Sequence, residues 1–123
     1  LRETTDRKSL GKKGEDIACR ALKKDRYRVI EKNYRCRQGE IDIIAEDKAG
    51  VMCFVEVKAR SRDDFGLPEE AVTRRKQGRI QAAAYSYIES KRIIPRTMRF
   101  DVVSVDLTSN QARIIKNAFE ADM

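Results

Sequence analysis

Asp42, Glu56 and Lys58 are the residues whose types and placing suit chemistry. Each interrupts an apolar segment, Asp42 between Ile41 and Ile43 and Glu56 between Val55 and Val57, with Lys58 next in alternation. Two carboxylates are hard oxygen ligands for Mg²⁺ or Mn²⁺, and a lysine beside them can orient water or stabilise charge on a phosphate undergoing hydrolysis. The main-chain carbonyl of Val57 is a further candidate ligand. The same charges also suit exposed cross-strand ion pairs, Glu40 with Lys58 and Glu56 with a nearby arginine, and alternation alone does not separate the two readings.

What must position these groups is a β-hairpin from Glu40 to Lys58. Period-2 alternation gives each arm two faces. Lys48, Ala49 and Gly50 are expected to form the loop, with Gly50 left-handed and Asp47 paired with Val51. That register sets Asp42 opposite Glu56 and Glu40 opposite Lys58 on one face. It sets Ile41, Ile43 and Ala45 opposite Val57, Val55 and Cys53 on an apolar face. Opposed carboxylates repel unless neutralised, and a divalent cation would do so.

The rest of the chain frames the hairpin. Residues 1–8 read as a flexible tail and residues 9–123 as a single domain, which 123 residues can fill with a real core. A first helix is expected from Ser9 to about Lys24, with Leu10, Gly14, Ile17, Ala18, Ala21 and Leu22 on its apolar face. Gly11 and Gly14 weaken it and point to a close backbone approach. A strand follows from Tyr27 to Arg35. After the hairpin, Pro68, Glu69 and Glu70 suit a short helical turn. Thr73 is the expected cap of a second helix, Arg74 to about Lys91, buried through Ile80, Ala83, Ala84, Tyr87 and Ile88. Strands are expected at Thr97–Leu107 and Gln111–Lys116, with a fraying end from Ala118. A long helix between the third and fourth strands predicts that those two run parallel in an otherwise antiparallel sheet.

Composition narrows the chemistry. With no histidine, Ser-His-Asp and Cys-His mechanisms are excluded. The 3 cysteines, Cys19, Cys36 and Cys53, are too dispersed for a zinc site and read as reduced thiols. A net charge of +7 suits a polyanionic partner. Arg74, Arg75, Lys76 and Arg79 crowd the start of the second helix, where the dipole is already positive; this is unfavourable alone and favourable against phosphate. Lys12, Lys13, Arg60 and Arg62 are further candidate backbone contacts, and either DNA or RNA fits such contacts. With no apolar signal or membrane-spanning run read in the sequence, a soluble cytoplasmic protein is expected.

Gly11-x-x-Gly14-Glu15, Asn33-Tyr34-Arg35, Gly39-Glu40-Ile41-Asp42, Phe54-Val55-Glu56-Val57-Lys58-x-Arg60, Phe65-Gly66, Glu70-Ala71-Val72 and Arg99-Phe100-Asp101-Val102 closely resemble the YraN-type family of small endonuclease-like proteins. That family belongs to the PD-(D/E)xK, restriction-endonuclease-like superfamily and is similar to Holliday-junction resolvases. The resemblance implies an α/β fold with an αβββαβ core, here with an extra C-terminal strand and helices on both sides of a mixed sheet. It implies a Mg²⁺- or Mn²⁺-dependent endonuclease acting on branched or structured DNA. Asp42 and Glu56 would be metal ligands, Lys58 the catalytic lysine, and Glu15 an additional acid from the first helix. Glu15 also reads as an ordinary solvated helix acid. Ile41 replaces the proline of the superfamily's name motif. Gln81 and Tyr85 resemble the Gln-x-x-x-Tyr element of RecB-like nucleases and are candidate substrate contacts on one helix face. Paired cuts would need two sites, hence a homodimer. The competing expectations are a non-catalytic nucleic-acid-binding module with a vestigial site, and an interaction protein that docks an acidic partner.

Overall fold

The computed structural model describes residues 2–61, 72–95 and 97–120, with side chains from residue 11 onward. Its elements are α1 (Arg2–Lys24), β1 (Arg28–Arg35), β2 (Glu40–Glu46), β3 (Met52–Arg60), α2 (Arg74–Lys91), β4 (Met98–Asp106) and β5 (Gln111–Phe119). The strands form one sheet in the order β1-β2-β3-β4-β5. β3 and β4 are parallel and every other pair is antiparallel, as the helical connection requires. This is the expected αβββαβ order with one added strand, a mixed sheet covered by a helix on each side. Among the described residues no helix is long and apolar enough to cross a membrane.

Both faces of the sheet are buried. Ile17, Ala18, Cys19 and Leu22 of α1 pack on Ile43, Ala45, Cys53, Val55, Val103 and Val105. Ile80, Ala83, Ala84 and Tyr87 of α2 pack on Ile44, Met52, Phe54, Phe100 and Val102. β3 therefore reads as a nearly continuous apolar run, and Glu56 is the charged residue set into it. Gly14 lets α1 lie close to β3: a Cβ there would stand 3.0 Å from the Cβ of Ala59. Gly11, by contrast, has open space around it.

The hairpin loop forms as its sequence predicts. Gly50 has φ +86, its N–H donates to the Asp47 carbonyl at 3.0 Å, and Asp47 N–H donates to the Val51 carbonyl at 3.0 Å. Asp47 Oδ1 also accepts from Ala49 N and Val51 N, each at 2.9 Å, which locks the turn. Pairing runs outward through Glu46 with Met52, Ala45 with Cys53 and Ile43 with Val55. A β-branched residue at a left-handed position is strained by about 1–2 kcal/mol. Gly50→Val is therefore expected to lower stability by about that amount and to weaken cation binding with it. Chemical denaturation and a Mn²⁺ titration check this, and unchanged affinity would show that the loop does not hold the register at Asp42.

Four expectations are corrected. α1 begins at Arg2, well before Ser9, so helical backbone covers residues read as tail. Ile41 packs on the α2 side with Ile44, not with Ile43 and Ala45, because it lies beyond the last β2–β3 pair and opposite Tyr34, where β1 is distorted by Asn33 at φ 55. Glu40 does not reach Lys58. It pairs with Arg35 across the β1–β2 ladder at 3.3 Å, and both side chains are well exposed. Ala118 and Phe119 belong to β5, since Phe119 stacks on Phe100 with ring centroids 5.0 Å apart. The helical turn expected at Pro68–Glu70 lies outside the described residues.

Candidate active site

β2 and β3 part company after Ile43 and Val55, and the site sits where they do. There the Asp42 side chain replaces a ladder partner: its Oδ2 accepts from Val57 N at 2.8 Å. A strand residue's N–H and C=O point to the same side, so the Val57 carbonyl also faces Asp42. Glu56, one residue earlier, turns to the α2 side of β3 and is buried, at 6% exposure. Asp42 and Glu56 lie within hydrogen-bonding reach of each other.

Two carboxyl groups this close in a partly dry site cannot both ionise freely. Burial, followed by the Glu56 hydrogen bond and charge, pushes Asp42 up to about 8, so Asp42 is the member that keeps the proton. Glu56 is shifted down despite its burial, by the Asp42 hydrogen bond and by Lys76 and Lys58. Burial and the neighbouring Lys76 lower Lys58, whereas Glu56 raises Lys76 over the opposing effect of burial.

Lys76 is the contact that the sequence did not reveal. It belongs to the first turn of α2, where Thr73 accepts from Lys76 N at 3.2 Å, and its Nζ lies 2.6 Å from Glu56 Oε2. That contact pairs the ammonium with the buried carboxylate oxygen and, with Asp42, holds Glu56 in its charged form. Beside it opens a groove of about 770 Å³ walled by Arg35, Glu40, Glu56, Arg75, Lys76 and Arg79, among others. Four of those six side chains are cationic. Arg35 entered the sequence reading only as part of a motif; its place on the groove depends on the β1–β2 turn approaching α2.

The other expected residues are placed as follows. Glu15 is held by Asn33, whose Nδ2 donates to Glu15 Oε1 at 3.0 Å. It acts on Asp42 through space, raising its pKa weakly, and among the described residues no group of three or more acids, histidines or cysteines converges as a metal cluster. Lys12 lines a separate shallow surface with Glu15, Lys32, Asn33 and Arg35. Lys13 and Arg74 are exposed, and Arg60 is partly buried at the end of β3. Arg62 lies outside the described residues. Gln81 is corrected as a substrate contact: it is 6% exposed and its Nε2 donates to the Glu120 carbonyl at 3.4 Å, because this part of α2 turns toward the end of β5. Tyr85 is 49% exposed, so the two do not share one accessible face.

Comparison with known proteins gives the family. The profile described as "Uncharacterised protein family UPF0102" matches residues 14–105, a span containing Glu15, Asp42, Glu56, Lys58 and Lys76. The chain belongs to the UPF0102 family. The YraN-type resemblance therefore holds at the level of the family. A UPF0102 protein of Syntrophus aciditrophicus is 49% identical over 112 residues, covering 89% of this chain and 87% of its own. One of Geobacter metallireducens is 44% identical over 115 residues, covering 92% and 93%. One of Desulfosudis oleivorans is 43% identical over 117 residues, covering 95% and 94%. The similarity thus runs through both helices and the whole sheet of this UPF0102 chain.

Proposed function

We propose that this UPF0102 protein is a metal-dependent nuclease that hydrolyses DNA phosphodiester bonds, and that branched or structured DNA is its substrate. The observation that carries the reading is the Asp42–Glu56 pair, held in hydrogen-bonding reach near Lys58, with Glu56 also on the wall of a basic groove. A carboxyl pair of this kind is costly to a fold and has little structural return, since the sheet on either side is apolar. Preference for branched DNA rests on the resemblance to resolvases.

The donor set fits Mg²⁺ or Mn²⁺. Asp42, Glu56 and the Val57 carbonyl offer hard oxygens only, and Mg²⁺ characteristically takes one or two carboxylates and fills its remaining positions with water and phosphate. When bound, such an ion polarises the scissile phosphate and lowers the pKa of water. Lys58 shares the rigid strand of Glu56 and orients the attacking water or stabilises the charge that develops on phosphate. Val57 N–H fixes the Asp42 carboxylate. Arg35, Arg75 and Arg79 hold the nucleic-acid backbone, contacts that position a strand without reading its sequence. Attack by water is direct, with no covalent enzyme intermediate. Coordinated cuts on two strands would be made by a homodimer, which light scattering tests.

Junction, flap, single-stranded and duplex DNA, with an RNA strand for comparison, form the substrate panel. Mg²⁺ or Mn²⁺ is expected to support cutting of junction or flap DNA, and Lys58→Ala is expected to reduce it by about 10²–10³-fold. Salt-sensitive binding without cutting of any substrate would instead identify a nucleic-acid-binding module.

Cation affinity should follow pH with a definite sign. Asp42 retains its proton up to about 8, and an ion must displace it. Affinity for Mn²⁺ is expected to rise about tenfold per pH unit below that value and to level off above it, with one proton released per ion. Calorimetry between pH 6 and 9 checks this, and a flat profile would mean that Asp42 is not a ligand.

A further inference from the structure

Glu56 and Lys76 form an unusual pair. The carboxylate is buried on β3, whereas the lysine side chain is 44% exposed and reaches Glu56 Oε2 at 2.6 Å. Its backbone is fixed in the capped first turn of α2, and its four-carbon stem is free to pivot. Lys58 already stands beside the same carboxyls on the rigid strand. Two ammonium groups therefore crowd one pair of carboxyl groups. A divalent ion bound to Glu56 would add two further charges at that point. The ammonium able to withdraw is that of Lys76, because it borders an open groove whose other cations, Arg35, Arg75 and Arg79, favour an anion there. The positive end of the α2 dipole makes an anion in that groove a better partner for this lysine than solvent alone.

We propose that Lys76 is an exchangeable counter-ion: it neutralises Glu56 in the cation-free protein, yields Oε2 to the divalent cation, and turns its ammonium into the groove to hold a substrate phosphate. This rests on the metal-dependent reading and adds a positioning residue to it. Lys76 thereby couples loading of the site to readiness for a polyanion. Its ion pair satisfies a buried charge that would otherwise disfavour the empty site.

Mn²⁺ titration of wild type, Lys76→Met, Lys76→Arg and Arg79→Gln tests the exchange, with circular dichroism to confirm folding. Lys76→Met should bind Mn²⁺ about tenfold more tightly than wild type, the effect of about one pKa-unit equivalent of lost competition. Lys76→Arg should stay near wild type, since a guanidinium can pair with Glu56. Arg79→Gln removes a charge from the same groove and should shift affinity by less than about threefold, as expected for a solvent-screened charge. An equal shift in Lys76→Met and Arg79→Gln, or none in Lys76→Met, overturns the exchange while leaving the metal site intact. Mn²⁺ binding by no variant removes the metal-dependent reading itself. Lys76→Gln, which keeps a donor for Glu56, serves if Lys76→Met fails to fold. With Ca²⁺ present, Lys76→Met should bind duplex DNA about tenfold more weakly than wild type, a loss of the order of one charge-assisted phosphate contact. Equal affinity would overturn the role toward substrate.

Discussion

Asp42→Asn is expected to reduce metal-dependent DNA cleavage by about 10³-fold or more, equivalent to about 4 kcal/mol of transition-state stabilisation, without unfolding the protein. The asparagine oxygen can still accept from Val57 N, so the parting of β2 and β3 keeps its hydrogen bond. Asp42→Ala leaves that N–H without its partner and should also lose about 1–3 kcal/mol of stability. The pH dependence of stability separates the variants further. Asp42 has a folded pKa raised above its unfolded value of 3.8, so its favourable contribution is present below 3.8 and is lost as pH rises toward about 8. Without metal, Asp42→Asn should therefore gain stability relative to wild type as pH rises through that window. Thermal denaturation from pH 5 to 9 checks the sign. A variant uniformly less stable than wild type at every pH would show that the Asp42 charge supports the fold.

The second large effect lies on the opposite face of the sheet, where Asp101 pairs with Val55 next to Glu56 but turns to the α1 side. Asp101 is fully buried and accepts from Arg99 Nε at 2.8 Å, Arg99 Nη2 at 3.0 Å, the Tyr27 hydroxyl at 3.0 Å and Asn117 N at 2.9 Å. Arg99 also donates to Asp47 Oδ2 at 3.0 Å, which ties β4 to the hairpin loop. Asp101 raises Arg99, and burial followed by Asp101 raises Tyr27, so Arg99 and Tyr27 keep their protons. Asp101→Ala strands a guanidinium with one remaining acidic partner and should lower stability by about 3–5 kcal/mol. Urea denaturation measures this, and a loss below about 1 kcal/mol would mean that the network relaxes around water. Whatever fraction of Asp101→Ala stays folded should cleave as wild type does, because Asp101 faces Tyr27 on the α1 side whereas Glu56 faces α2.

What could be read in advance follows the range of the interaction. The hairpin loop was legible because Asp47, Gly50 and Val51 set its geometry locally, and the α2 cap because Thr73 and Lys76 are three residues apart. The parallel β3–β4 pair was legible because a helix-length connection leaves little choice. The end of β2 was not. Alternation predicts where Ile41 and Glu40 point only while β2 stays beside β3, and that pairing ends at Ile43. Glu40 consequently belongs to Arg35 on the other neighbour.

The site shows the same division. Asp42, Glu56 and Lys58 were recognisable as charges out of place on apolar strands. The Glu56–Lys76 contact depends on how α2 crosses the sheet, and in sequence Lys76 is indistinguishable from Arg74, Arg75 and Arg79 around it. Spacing places Gln81 and Tyr85 on neighbouring helix positions, but only packing against the end of β5 reveals that Gln81 is covered. Arg99 and Asp101, two apart on one face of the strand expected at Thr97–Leu107, carried a signal of a buried pair that the strand assignment alone does not use.

The central claim is that Asp42 and Glu56 hold a catalytic cation. Its most direct test is cleavage of junction DNA by wild type and identically purified Asp42→Asn, each with Mg²⁺ and with chelator. The account predicts cutting by wild type with Mg²⁺ alone. Equal cutting by Asp42→Asn, or cutting that survives the chelator, would contradict it.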